Sequence, residues 1–299
     1  MAFKTAEGEK LFLQAYDNNL NRWPIPYESF YISTSYGDTH VITAGDKGLP
    51  PLIMLHGAGM GSTIWYKNVE ALSKIRRVYA VEAIGDINKS EPIRSISNRE
   101  DMGKWMSEIL DHMEIEKTDF LGHSAGGYMT LNIATCIQSR VKKLVLLAPA
   151  ASFVPFHKQF FLRLALINAI RRKGFIRRVF CHWFIAKGNI IEDDIFDQFI
   201  YGVLHYKWKV SPIIPKVIPA EKLKTIEVPT LLLMGDKEVI YNPNRAIVQA
   251  KASIPHIETV MLPNTSHCLF IEDAEKANDL VIDFLHKEAV NTELPHQIS

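Results

Sequence analysis

The sequence predicts an α/β protein with a mostly parallel sheet and helices on both faces. Three observations carry the prediction. Short apolar runs, too brief for helices, recur at Pro51–Leu55, Arg77–Ala83, Lys117–Leu121, Lys143–Ala148, Thr230–Met234 and Glu258–Leu262. Between them lie segments with helical apolar spacing, such as Met102, Trp105, Met106, Ile109, Leu110 and Met113. A Gly-x-Ser-x-Gly pentapeptide, Gly122-His123-Ser124-Ala125-Gly126, falls at a junction between a run of the first kind and a segment of the second. Strands separated by helices need crossover connections, which cover the sheet on both sides.

In chain order, a helix is expected from Gly8 to about Arg22, ended by Trp23-Pro24-Ile25-Pro26. Phe30–Ser35 and Thr39–Thr43 read as two strands around the turn Tyr36-Gly37-Asp38. The runs above then alternate with helices at Arg99–Met113, Gly127–Gln138, about Arg245–Ser253 and Glu272–His286. One stretch breaks the rhythm. Between Ala148 and Thr230 no strand is legible, and residues 154–216 hold 11 Lys/Arg against four acids, a local charge of +7 in a chain whose total is +1. It reads as a helical insertion covering one end of the sheet. The expected organisation is an N-terminal helical extension over 1–28, a core over 29–153 and 221–287, a helical cap over 154–220, and a tail over 288–299.

Composition bounds the function. With 47% hydrophobic and 22% charged residues, the chain is neither disordered nor fibrous, and it is long enough to bury a sizeable core. Near-equal counts of 34 basic and 33 acidic residues argue against a dedicated nucleic-acid binder. Cys136, Cys181 and Cys268 are too few and too scattered for a disulfide framework or a metal site, which fits a reducing compartment. The first residues lack a signal-peptide core, and no run approaches 18 apolar residues, so the expected address is cytoplasmic, with no integral membrane contact.

The chemistry centres on Ser124. It follows the strand Asp119-Phe120-Leu121 and opens a helix, the context a nucleophile elbow requires. The turn leaves no room for flanking side chains, hence Gly122 and Gly126, and the helix N-terminus aims amide donors at a developing oxyanion. A serine needs a base. Among 11 histidines, His267 fits best, in a loop after a strand and before the final helix. His123 lies inside the elbow, points away from the serine and reads as structural. Cys268, beside His267, points away from it and is not expected to be a nucleophile. The imidazole needs an orienting carboxylate, and Met234-Gly235-Asp236-Lys237-Glu238 offers two.

These pieces, together with His56-Gly57 after a strand, resemble the α/β-hydrolase fold over about residues 30–287. The N-terminal helix and the loop Ile84–Pro92 resemble a bacterial subgroup of carboxylesterases, including Bacillus-type enzymes that hydrolyse aryl-propionate esters. The resemblance implies Glu238 as the acid, since the family places its acid there, although many members carry Asp at that position. It implies the backbone N–H groups of Ala58 and Ala125 as an oxyanion hole. It implies a small-molecule ester substrate and no metal or organic cofactor. A second departure is the loop Gly85–Ser90, which lacks the second glycine of a common family pattern. A serine at the elbow argues against haloalkane dehalogenase and epoxide hydrolase chemistry. Thioesterase, lactonase and C–C hydrolase activity stay open, as does a slow, receptor-like ligand binder. Two features of the cap also stay open. His182, Trp183, Phe184, Tyr206 and Trp208 either line the pocket or form the cap's own core. The basic run Arg171-Arg172-Lys173…Arg177-Arg178 either meets a membrane or anionic partner, or is a solvated helix face. The oligomeric state and the substrate-binding residues are not legible.

Overall fold

The apolar strands are apolar because the sheet is covered on both faces. The computed structural model describes residues 3–287, so the expected tail at 288–299 lies outside the described residues. Nine strands form one sheet: β1 (Tyr27–Thr34), β2 (Gly37–Ala44), β3 (Pro51–Leu55), β4 (Arg77–Val81), β5 (Glu91–Pro92), β6 (Thr118–His123), β7 (Val141–Leu147), β8 (Thr230–Gly235) and β9 (Ile257–Leu262). Their order is β1-β2-β4-β3-β6-β7-β8-β9, with β5 beside β2. The pairings of β2 with β1, β4 and β5 are antiparallel, and every pairing from β4 through β9 is parallel. Every residue of β6 and β8 is buried, whereas β1, on the sheet edge, leaves most of its residues at least partly exposed. That difference is the one between a central strand and a half-solvated hairpin strand.

The helices are α1 (Ala6–Leu20), α2 (Val69–Ser73), α3 (Arg99–His112), α4 (Ala125–Cys136), α5 (Lys158–Ala169), α6 (Lys173–Ile176), α7 (Asp197–His205), α8 (Ala220–Leu223), α9 (Pro243–Ser253), α10 (Leu269–Glu272) and α11 (Ala274–His286). α1 starts two residues before its expected Gly8, because Thr5 accepts the Gly8 N–H at 3.0 Å and caps the helix there. The expected final helix is α11, which starts two residues after its expected Glu272 because Asp273 caps it by accepting the Lys276 N–H; the short α10 before it was not expected. α2 and the short helical turn Ser62–Lys67 before it were not expected. Both are short and largely buried, so they lack the two-faced pattern that betrays a surface helix.

Among the described residues, no strand of the sheet falls between β7 and β8, and the helices of that interval are α5, α6, α7 and α8. α1 packs on α7, where Gly8 lies so close to His205 that a Cβ would sit 2.5 Å from the ring. Asn19 adds a hydrogen bond of 3.0 Å to the Ile195 carbonyl. The N-terminal helix is thereby tied to the insertion. The parallel strands β3, β6, β8 and β9 all end on one edge of the sheet. The segments after them carry His56-Gly57, Ser124, Glu238 and His267 respectively. In open α/β sheets, ligands bind outside these carboxyl ends.

Candidate active site

Ser124 sits at the sharp corner between β6 and α4 with φ 52° and ψ −117°. A non-glycine residue in such a conformation costs about 1–3 kcal/mol, which the surroundings must over-determine. Three backbone hydrogen bonds do so. The Ser124 N–H donates to Leu147 O at 3.0 Å, and its carbonyl accepts from Tyr128 at 3.0 Å and Ala150 at 2.9 Å. The flanking glycines answer a close approach. A Cβ on Gly126 would fall 2.0 Å from Leu55 O, and one on Gly122 would fall 2.5 Å from Gly126 O. The corner therefore presses directly against the end of β3.

The serine Oγ lies 2.9 Å from His267 Nε2, and His267 Nδ1 lies 2.8 Å from Glu238 Oε2. The carboxylate can only accept, so Nδ1 carries the proton and Nε2 is left to accept from the serine hydroxyl. The Glu238 side chain is fully buried, and its other oxygen accepts the N–H groups of Val239 at 2.7 Å and Ile240 at 2.9 Å. Asp236 is turned elsewhere and lies 3.0 Å from Lys237 Nζ. Of the two acids offered by the sequence, the structure brings Glu238 to the histidine.

Ala125 opens α4, so its N–H has no acceptor within the helix. Among the described residues, no acceptor engages the Ala58 N–H either. Gly57 places that segment against the serine, since a Cβ there would lie 3.3 Å from Ser124 Cβ. Two further residues hold the segment. Asp86 receives the Gly59 N–H on both carboxylate oxygens, at 3.0 and 2.8 Å. His56 contacts Gly57 O through Nδ1 at 2.9 Å and accepts the Ala83 N–H through Nε2 at 3.2 Å. Burial raises the Asp86 carboxyl above its usual range.

Comparison with known proteins adds the family. A model of the alpha/beta hydrolase fold matches residues 50–178. The "uncharacterized carboxylesterase nap" of Bacillus subtilis (strain 168) is 36% identical, with 93% of each chain aligned. The carboxylesterase YbfK of the same organism is 34% identical over 95% of this chain and 97% of its own. The crystal structure of naproxen esterase (carboxylesterase NP) from Bacillus subtilis superposes with a TM-score of 0.88 at 36% identity, covering 94% of this chain and 99% of that one. The chain belongs to the α/β-hydrolase family. Meta-cleavage product hydrolases, at 19–20% identity and a TM-score of 0.70, share the fold.

In this α/β-hydrolase the insertion roofs the site with three phenylalanines. Phe184 lies 5.2 Å from the His267 ring, and Phe180 bridges it to Phe199 with centroid distances of 4.7 and 5.4 Å. Phe199 in turn closes on Gly59, where a Cβ would fall 2.7 Å from its ring. Of the five aromatic residues left open by the sequence, Phe184 has a ring contact with His267. Tyr206 packs on Phe3, Trp183 lies under Arg163, and Trp208 is half exposed beside Tyr206. The basic run is not one helix face, because Lys173 and Arg177 both pair with Asp197 while Arg172 and Arg178 face solvent.

His123 is buried at 2% exposure, and its Nε2 lies 3.0 Å from the His267 carbonyl, supporting that residue from behind. Burial pushes its pKa well below the usual imidazole value. Cys268 is buried, and burial pushes its thiol well above the usual range, so it offers no thiolate.

Glu272 was missed by sequence reading. It accepts the Ser266 N–H at 2.9 Å from the histidine loop, and the Ala186 N–H at 2.7 Å and Asn189 Nδ2 at 2.8 Å from the cap. It ties the segment at Ala186 and Asn189 to the loop that carries His267. Asp86 was also missed, although an Asp just after the positive-φ Gly85 is the kind of residue that caps neighbouring amides. Among the described residues, no helix is long and apolar enough to cross a membrane.

Proposed function

We propose that the chain hydrolyses carboxylic esters through an acyl-enzyme on Ser124. The observation that carries this is the unbroken chain Ser124 Oγ–His267 Nε2 at 2.9 Å and His267 Nδ1–Glu238 at 2.8 Å, set at the carboxyl end of the sheet. Ser124 attacks the ester carbonyl as His267 takes its proton. The carbonyl oxygen becomes an oxyanion, received by the N–H groups of Ala58 and Ala125. The tetrahedral intermediate collapses, and the imidazolium gives its proton to the departing alcohol. Glu238 holds the tautomer and stabilises the imidazolium. Water, deprotonated by the same histidine, then releases the acid. The relatives named carboxylesterase support the reaction class. The Phe180–Phe184–Phe199 roof supports apolar acyl or aryl groups over charged ones.

The same reading assigns 29–153 and 221–287 to the hydrolase core, 154–220 to a cap and 1–28 to an N-terminal extension, in a cytoplasmic enzyme. The test is a hydrolysis screen over p-nitrophenyl esters of increasing chain length, with thioesters, lactones and C–C hydrolase substrates alongside, and parallel labelling by a fluorophosphonate. Turnover of short and medium apolar esters is expected. Preferred turnover of another class would reassign the chemistry. Labelling with no turnover of any class would make the protein a binder.

A further inference from the structure

One helix of the cap has its polarity reversed. α5 reads Lys-Gln-Phe-Phe-Leu-Arg-Leu-Ala-Leu-Ile-Asn-Ala. At about 100° per residue, Phe160, Arg163 and Ile167 share one side, while Lys158, Phe161, Leu162, Ala165 and Ala169 share the other. Ile167 is fully buried and Phe160 and Arg163 are half-buried, so the first side faces the protein. Arg163 is turned inward, donating to Val179 O at 2.6 Å and lying 4.6 Å from the Trp183 ring. Phe161 is 56% exposed and Leu162 61% exposed. A surface helix ordinarily points its apolar stripe at the core. An apolar face turned outward marks a surface that something covers.

Charge indicates what. From Val154 to Ile191 the chain has eight Lys and Arg residues and no Asp or Glu. Lys158, at the start of α5, and Arg172 and Arg178, just beyond it, are exposed, and no acid among the described residues pairs with them. We propose that α5 and these cations form a docking face for an anionic lipid surface. The helix lies in the plane of the bilayer, with Phe161, Leu162, Ala165 and Leu166 in the headgroup boundary and Lys158, Arg172 and Arg178 on lipid phosphates. A second copy of the chain fits less well, because a two-fold contact through this face would set the same cations against each other.

The face is wired to the site. Ring centroids step from Phe161 to Phe160 (5.6 Å), Phe180 (6.2 Å), Phe184 (4.7 Å) and His267 (5.2 Å). The His157 N–H, at the start of α5, donates to Ile240 O at 2.7 Å, two residues from Glu238. An apolar ester leaving the lipid would meet the roof of the site first. This goes beyond the esterase reading and does not depend on it, since binding to vesicles needs no turnover.

The test is flotation of the full chain, and separately of Ser124→Ala, with phosphatidylcholine vesicles containing about one-third phosphatidylglycerol, or none. Both proteins are expected to float with the anionic vesicles and not with the neutral ones. The double variant Leu162→Glu/Ala165→Glu should stay unbound while keeping wild-type p-nitrophenyl butyrate turnover and circular dichroism. Lys158→Gln/Arg172→Gln should weaken partitioning roughly 25-fold at low salt, about fivefold per cation. The proposal is overturned if the chain ignores anionic vesicles or binds neutral ones equally. It is overturned too if Leu162→Glu/Ala165→Glu floats like wild type, or if that variant instead turns a dimer into a monomer in gel filtration.

Discussion

Replacing Glu238 by glutamine tests the base and its orientation together. Oε1 of Glu238 accepts two backbone N–H groups, from Val239 and Ile240, at 2.7 and 2.9 Å, and Oε2 faces His267 Nδ1 at 2.8 Å. A glutamine has one acceptor oxygen to divide between these places. If it keeps the two backbone donors, its NH2 group faces Nδ1. The imidazole must then carry its proton on Nε2, which turns a donor toward Ser124 and leaves nothing to accept the serine proton. The reverse rotamer sets NH2 against two N–H donors and leaves both unpaired in a buried place, at about 1–3 kcal/mol each. The first arrangement is therefore favoured, and it is the wrong tautomer for catalysis. In a serine protease the equivalent error costs about 10⁴-fold in kcat, which is roughly 5.4 kcal/mol of lost transition-state stabilisation. Glu238→Gln should lose about 10⁴-fold in kcat for p-nitrophenyl butyrate, and its rate of fluorophosphonate labelling should fall in proportion. Asp236→Asn, at a residue whose partner is Lys237, should stay within about threefold of wild type, the range of an ordinary surface change. A Glu238→Gln enzyme within tenfold of wild type, or an inactive Asp236→Asn, would refute the reasoning.

Two further predictions rest on the supports around the site. Asp86→Ala frees the Gly59 N–H and with it the loop carrying Ala58, so kcat should fall by up to about 10²-fold, as when one oxyanion donor is lost. KM should change little and Asp86→Asn should restore most of the rate, whereas an unchanged kcat in Asp86→Ala would show that Asp86 does not position the Ala58 loop for catalysis. His123→Gln should flatten the acid side of the stability curve. The fold keeps His123 neutral while the unfolded chain protonates it below about pH 6.5, so U binds more protons than N and stability falls as pH falls, by up to about 1.4 kcal/mol per pH unit. Urea midpoints between pH 6.5 and 5 should therefore drop faster for wild type than for His123→Gln, and parallel curves would contradict the assignment.

Much of this was legible in the sequence, for identifiable reasons. The elbow was readable because its steric demand is local: two glycines and a serine between a strand and a helix. The parallel strands were readable because burial on both faces makes them apolar throughout. Glu238 and Asp236 could not be separated from residue order alone. The difference lies in how the loop after β8 turns, with Glu238 capturing its own downstream amides and Asp236 held by Lys237. Asp86 and Glu272 were invisible because their partners are backbone amides 27 residues away in one case and up to 86 in the other. The aromatics between Trp183 and Trp208 were divided only by tertiary packing, which took Phe184 to His267 and Tyr206 to the N-terminal segment.

The most direct measurement is intact-mass analysis of the chain after a fluorophosphonate, with peptide mapping of the adduct. The account predicts one adduct, on Ser124, formed at the rate at which ester turnover is lost. It predicts no adduct and at least about 10⁴-fold less turnover in a folded Ser124→Ala variant. An adduct on another residue, or a Ser124→Ala protein that still hydrolyses esters at a comparable rate, would contradict it.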